Sequence, residues 1–296
     1  MDGDENRSSR WVIGDTTLTA VVEAETPGIP VGLFFPAATP ADVRSAGPLP
    51  AGAAGTDGTI AFRVQSFVLE HRGRVVVVDP CVGNCKRRTL SFWNDLRAPW
   101  MDRFSAAGFA PGDVDLVVHT HLHEDHLGWD TQLVDGVWVP TFVNARHVYV
   151  GDELDWAASE DRRADQDAFA DSIEPVLDAG LGTDVSADAD LGDGLRLVST
   201  PGHTPGHASL LVATTAEPLV ITGDLLHHPF QFAHPHLAEI GDTDPAMAER
   251  TRRDFFAEHA RAGTLLAGTH FPIAPLGRVE SAAGSLRFVT EAPAST

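Results

Sequence analysis

Cationic side chains are scarce in this chain. Lysine and arginine together number 21 against 42 aspartates and glutamates, a formal net charge of −21, and Lys86 is the single lysine. Nucleic-acid binding rests on Lys and Arg neutralising backbone phosphates, so no nucleic-acid partner is expected. Long apolar runs are missing too. No stretch approaches the roughly 18 residues that a membrane span requires, and Met1-Asp2-Gly3-Asp4-Glu5-Asn6 carries no apolar signal core. The expectation is a cytoplasmic chain without a membrane partner. Cysteine is limited to Cys81 and Cys85. A cytosolic disulfide is rare, and a C-x-x-x-C clip lacks the two further ligands of a closed thiolate zinc site. Both are expected to be reduced thiols without a catalytic role. Tyrosine occurs once, at Tyr149.

Histidine, by contrast, is abundant, with 14 residues, and it is clustered. The run from His119 to Gly128 reads H-T-H-L-H-E-D-H-L-G. Within it His121, His123, Asp125 and His126 form H-x-H-x-D-H. Imidazole and carboxylate are the donors that zinc and similar divalent ions favour. The preceding Val114-Asp115-Leu116-Val117-Val118 is short and β-branched, which predicts a buried strand delivering the motif to a sheet edge. Residues two apart in an extended loop share a side, so His121 and His123 can grip one ion, with Asp125 and His126 turned towards a second. A solvated histidine-rich loop with adventitious metal affinity is the plainer alternative, and the strand-then-motif order weighs against it.

Further donors follow in the same pattern. Thr200-Pro201-Gly202-His203-Thr204-Pro205-Gly206-His207 comes after the apolar run 195–198, Asp224 ends the strand-like 219–223, and His270 ends 264–269. Each donor follows a β run. The count assigns His121, His123 and His203 to one ion, Asp125, His126 and His270 to another, and Asp224 as a bridge. The metals of two-metal hydrolases lie about 3.5–4 Å apart. A donor set without thiolate suits an open catalytic site. Two divalent ions, zinc foremost, are the expected cofactors.

These motifs, T-H-L-H-E-D-H-L-G, P-G-H-T-P-G-H, T-G-D and G-T-H, with the apolar strand 75–78 ending on Asp79, resemble the metallo-β-lactamase superfamily in content and order. The resemblance implies an α/β fold, an αβ/βα four-layer sandwich of two mixed β-sheets with outer helices. It implies the same seven ligands. Acyl-homoserine lactonases of this superfamily carry tyrosine three residues after the bridging aspartate, where this chain has His227. That substitution, with Gln231 nearby, looks closer to the parathion-hydrolase-like branch and its lactonase-like relatives. Asp224 itself argues against the β-lactamases proper, which usually place Cys or Ser there.

The expected function is therefore a dinuclear metal-dependent hydrolase of a small ester or lactone. Organophosphate triesters, or thioesters as in glyoxalase II, are the alternatives. A water shared by two cations loses a proton near neutral pH and becomes the nucleophile. Asp125 is expected to shuttle the proton, and His227 either stabilises the oxyanion or supports and packs beside the ligands. His207 and Asp79 are expected to support the ligand loops. His228, His234 and His236 are read as wall residues, and His119, His71, His147 and His259 as structural or surface residues. Trp129, Phe230, Phe232 and Phe271 fit either a pocket wall or the core. Residues 1–10 are expected to be disordered and 11–290 a single hydrolase domain. The stretch from Pro36 to Gly58 is expected to be a long loop over the active-site mouth or a dimer partner, and a homodimer through it is a further expectation. Helices are predicted at 100–107, 153–169, 172–179 and 245–262, the last with a solvated charged face.

Overall fold

The computed structural model describes residues 8–159, 166–282 and 285–294. Two seven-stranded mixed sheets and a small hairpin make up its β structure, with helices between the strands. The first sheet begins with β1 (Ser8–Ile13), β2 (Thr16–Pro30), β3 (Thr59–His71), β4 (Arg74–Val78) and β5 (Leu116–Val118). After the hairpin β6 (Thr131–Val134) and β7 (Val137–Pro140), it ends with β8 (Arg146–Val150) and β9 (Gly182–Val185). The second runs β10 (Asp190–Gly192), β11 (Leu195–Ser199), β12 (Ala208–Val212), β13 (Leu219–Ile221), β14 (Leu265–Ala267), β15 (Leu276–Ala282) and β16 (Ser285–Thr290) in sequence order.

In the first sheet β4, β5, β8 and β9 are parallel. A parallel strand buried on both faces needs a continuous apolar run, which Val76-Val77-Val78 and Leu116-Val117-Val118 supply, all at 0% exposure. The register pairs Val78 with Val118 and Val118 with Val148. The chain therefore leaves β4 and β5 at one level, and Asp79 and Thr120 emerge side by side. In the second sheet β13 and β14 are parallel, with Ile221 opposite Ala267, so Asp224 and His270 also follow strand ends at one level.

Contacts divide the chain into two compact units, residues 1–24, 64–186 and 294–296 in one and 25–63 and 187–293 in the other. The first packs Trp100 on Trp129 and Phe104, with ring centroids 5.2 and 5.0 Å apart. The second has an aromatic core of Phe232, Phe255, Phe256, Phe271 and Phe288. Phe230 belongs to another cluster of that unit, with Phe35, Val43 and Ile60. Trp129, Phe230, Phe232 and Phe271 thus agree with the core reading.

Several sequence expectations change. Of the stretch 1–10 expected to be disordered, residues 1–7 lie outside the described residues, while Ser8–Arg10 open β1 and pair with Ala20, Thr19 and Val21 of β2. The stretch from Pro36 to Gly58 is not a featureless loop. It holds a helix, Pro40–Ser45, started by a reciprocal capping box between Thr39 and Asp42. The apolar side chains of this segment, Val43 and Ala46, are buried in the second unit's own core. Of the helix expected at 153–169, Gly151–Ala157 is found and residues 160–165 lie outside the described residues. The helix Pro245–Ala262 forms as expected, with Asp244 at its N-cap and left-handed Gly263 after it. Its Arg253–Glu249 pair is at the surface. Arg252, however, is fully buried, so the charges do not all make a solvated face.

Candidate metal centre

In the first unit the histidine motif begins where β5 ends. Thr120 donates through its backbone N–H (2.8 Å) and its hydroxyl (2.7 Å) to the two oxygens of Asp79. Asp79 itself sits at φ 52°, a left-handed conformation that turns its carboxylate back under the motif. The same carboxylate meets His126 Nδ1 at 3.1 Å. His121 Nε2 and His123 Nδ1 lie 3.0 Å apart, and His126 Nε2 is 3.6 Å from Asp125 Oδ1. Two ligands about 2.0–2.1 Å from a tetrahedral ion stand roughly 3.3 Å from each other. The spacing of both pairs fits that edge. Glu153 accepts the Leu122 amide at 3.1 Å and holds the loop between His121 and His123. Asp79, His121, His123, Asp125 and His126 are thus brought together.

In the second unit Asp224 is the centre. His270 Nε2 faces Asp224 Oδ1 at 3.1 Å, and His203 Nε2 faces Oδ2 at 3.4 Å. The far nitrogens are committed elsewhere: His203 Nδ1 to Asp242 Oδ1 at 3.0 Å, and His270 Nδ1 to the Arg63 carbonyl at 2.8 Å. A carboxylate and a carbonyl accept and do not donate, so each Nδ1 carries its proton. Each Nε2 then points a lone pair at a carboxylate oxygen unless a cation stands between them. A divalent ion held by these groups would relieve the contacts, so the residues fit the metal centre that the family resemblance implies. Without an ion a second proton must do the work. Burial pulls the His203 pKa down, but Asp224 and Asp242 outweigh it and raise it to about 10.

His207 ties this site together. Its Nε2 accepts the Asp224 backbone N–H at 3.0 Å, and its Nδ1 lies 2.9 Å from the Thr200 hydroxyl and 3.0 Å from the Thr200 carbonyl. His227 Nε2 lies 3.1 Å from Asp224 Oδ2 and 3.7 Å from Glu239 Oε2. Its ring stacks on that of His270, with centroids 5.5 Å apart. His203, His207, Asp224, His227 and His270 are therefore one constellation.

Two groups of buried charge were not found in the sequence. Asp242 holds His203 and is itself held by Arg252 Nη2 at 3.1 Å. Burial raises the Asp242 carboxyl, but His203 and Arg252 outweigh it and hold it at about 2. Glu239 stands beside His227. The partners of Asp242 lie 39 residues before it and 10 after, so no local motif announces the relay. The second group is His119, Asp130 and His147. Asp130 receives His119 Nε2 at 2.8 Å and His147 Nδ1 at 3.0 Å, and His119 Nδ1 faces the Val148 carbonyl. This fully buried cluster of three sits at the root of the motif and agrees with a structural reading of both histidines.

Of the histidines expected as wall residues, His228 packs into the interior, with Nε2 on the Ala53 carbonyl at 3.0 Å and Nδ1 accepting the Phe230 amide. His236 is exposed, and His234 meets Ser45 at 3.3 Å. Both cysteines are free, with Cys81 buried.

Residues 59–259 match the model of the Metallo-beta-lactamase superfamily. Among curated proteins, an N-acyl homoserine lactonase AttM of Rhizobium radiobacter is 36% identical over 183 residues, 54% of this chain and 64% of the relative. An N-acyl homoserine lactonase of Bacillus sp is 29% identical over 118 residues, 40% of each chain. The matched stretches thus span less than two thirds of these relatives. Among solved structures, the hydrolase AbOPH of the beta lactamase superfamily aligns over 99% of this chain and 100% of its own, with a TM-score of 0.83 and 23% identity. AidC, a dizinc quorum-quenching lactonase, aligns over the same shares with a TM-score of 0.78 and 20% identity. At that identity the likenesses show the fold, and it is the one the motifs implied.

Proposed function

This chain belongs to the metallo-beta-lactamase superfamily, and we propose that it is a metal-dependent hydrolase that opens a small ester or lactone. The relatives named as N-acyl homoserine lactonases support the lactone class. The observation that carries metal dependence is Asp224, whose two oxygens each face a different imidazole with its far nitrogen already committed. We assign His121, His123 and His203 to one divalent ion, Asp125, His126 and His270 to a second, and Asp224 to both, with zinc as the ion. When bound, two such ions would supply Lewis acidity and make water acidic near neutral pH.

The chain's own groups do the rest. Asp79 and Asp242 meet Nδ1 of His126 and His203 and so turn each Nε2 towards Asp125 and Asp224. Asp125 is the carboxylate that takes a proton and returns it to the leaving oxygen. His227 offers an imidazole beside Asp224, where a carbonyl oxygen gaining charge would be met by its N–H. The same reading takes residues 11–290 as one hydrolase domain acting in the cytoplasm on a small molecule. No nucleic acid or membrane is then a partner, and among the described residues no helix is long and apolar enough to cross a membrane. A homodimer is included and is decided by light scattering.

The test is metal analysis of the purified chain followed by a panel of lactones, aryl esters, phosphotriesters and thioesters. Two ions per chain with lactone turnover abolished by a chelator is expected. Turnover confined to phosphotriesters or thioesters would replace the substrate class, and a chain active without metal would contradict the proposal.

A further inference from the structure

We infer that Glu23 is a positioning residue for the metal loop, its buried carboxylate clamping the 80–83 turn against Gly128 and Trp129 and thereby fixing Asp79, Asp125 and His126. The inference rests on the proposed metal-dependent function and adds to it a residue that no ligand motif includes.

Glu23 lies in β2, follows the buried Val21 and Val22, and is 3% exposed. Its carboxylate accepts three N–H groups from two separate segments: the Val82 amide at 2.8 Å, the Gly83 amide at 3.1 Å and the Trp129 indole at 2.7 Å. Every one of these partners donates. Between those segments the backbones touch. The Gly128 amide reaches the Cys81 carbonyl at 2.6 Å, and the Trp129 amide reaches the Pro80 carbonyl at 2.7 Å. A Cβ on Gly128 would lie 1.7 Å from the Val82 oxygen, so only glycine permits the approach.

The turn so held is strained. Asp79 at φ 52° and Cys81 at φ 49° occupy the left-handed region without being glycine. Such conformations persist where the surroundings over-determine them. Two anchors do so here. Thr120 and His126 meet the Asp79 side chain, and Glu23 pins the turn three residues later. Gly128 follows His126 by two residues, so the clamp holds the chain directly after the motif and directly after Asp79. An apolar residue would fill the Glu23 position at less cost in charge burial, for burial pushes its carboxyl up to about 7. An acceptor for three N–H groups is what the loop requires there.

Glu23→Gln keeps the size of the side chain and turns one acceptor oxygen into a donor facing other donors. Removal of a partner that orients metal ligands commonly costs 10- to 100-fold in metal affinity. The expected result is a loss of that size in zinc affinity, measured by chelator competition at a temperature where circular dichroism shows the variant fully folded. A cobalt-loaded sample should show an altered visible spectrum. A residue that only stabilised the fold would lower the melting temperature and leave the affinity of the folded chain unchanged, and that result overturns the inference. Should the variant not fold, Trp129→Phe carries the test. It removes one donor, a three- to tenfold loss is expected, and wild-type affinity overturns the inference. A wild-type chain that binds no metal contradicts the proposed function itself, whereas metal-replete wild type with an unaffected Glu23→Gln contradicts only the clamp.

Discussion

Asp242 shows how much of a histidine's chemistry is decided by the residue behind it. His203 can present a lone pair only because its other nitrogen has an acceptor, and Asp242 remains ionised because His203 and buried Arg252 both pair with it. Removing one member of a buried ion pair leaves an uncompensated charge, at a cost of about 3–5 kcal/mol. Asp242→Ala is therefore expected to lower stability by that order in urea unfolding. The milder Asp242→Asn should keep the fold and weaken metal binding, as seen by chelator competition. Equal affinity in wild type and Asp242→Asn would remove the relay from the account. His228 gives a second test. Burial depresses its pKa from 6.5 to about 4, and its Nδ1 accepts a backbone N–H that leaves no room for a proton. With the folded value below the unfolded one, its contribution is complete above about pH 6.5 and is lost as the pH falls through 4. The full effect is at most about 3 kcal/mol, at 1.36 kcal/mol per unit. Unfolding midpoints between pH 7 and 4 should fall less steeply in His228→Asn than in wild type, and parallel curves would exclude this role. The seven proposed ligands stand out in the sequence because each follows a β run. Asp242, Glu239 and Arg252 were not, because nothing in their own neighbourhoods marks what they touch.

At the scale of elements, strand register does most of the positioning. Val78, Val118 and Val148 share a level, so Asp79 meets Thr120 without a long loop to search. This was readable in outline from two β-branched runs ending on Asp79 and His119. The helix Pro40–Ser45 was missed because prolines and alanines around it read as loop, although Thr39-Pro40-Ala41-Asp42 carries a capping box. The buried fate of Arg252 was missed because a charged helix says nothing about which charge faces inward. Gly128 is where element packing becomes most exacting. A methyl group there meets the Val82 carbonyl, a backbone atom that cannot swing aside. Gly128→Ala should separate the 80–83 turn from the motif and reduce hydrolysis by at least tenfold with the secondary structure retained. Wild-type turnover in a folded Gly128→Ala chain would contradict the tight contact.

For the whole molecule, composition set exclusions and the motifs set the class. A net charge of −21 argued against polyanionic partners, and the order of the histidine and aspartate motifs pointed to the superfamily that the family match then showed. The division into two compact units had no mark in the sequence, since segments of each alternate along the chain. Substrate choice had none either, because the aromatic residues that suggested a pocket are core residues. The central claim is that the donor groups of this chain exist to hold two ions. Its most direct test is the metal content of the chain purified without added metal and then dialysed against zinc. Two ions per chain, falling when Asp224 is replaced by alanine, is the predicted result. A chain that retains no metal, or retains it equally without Asp224, would contradict the account.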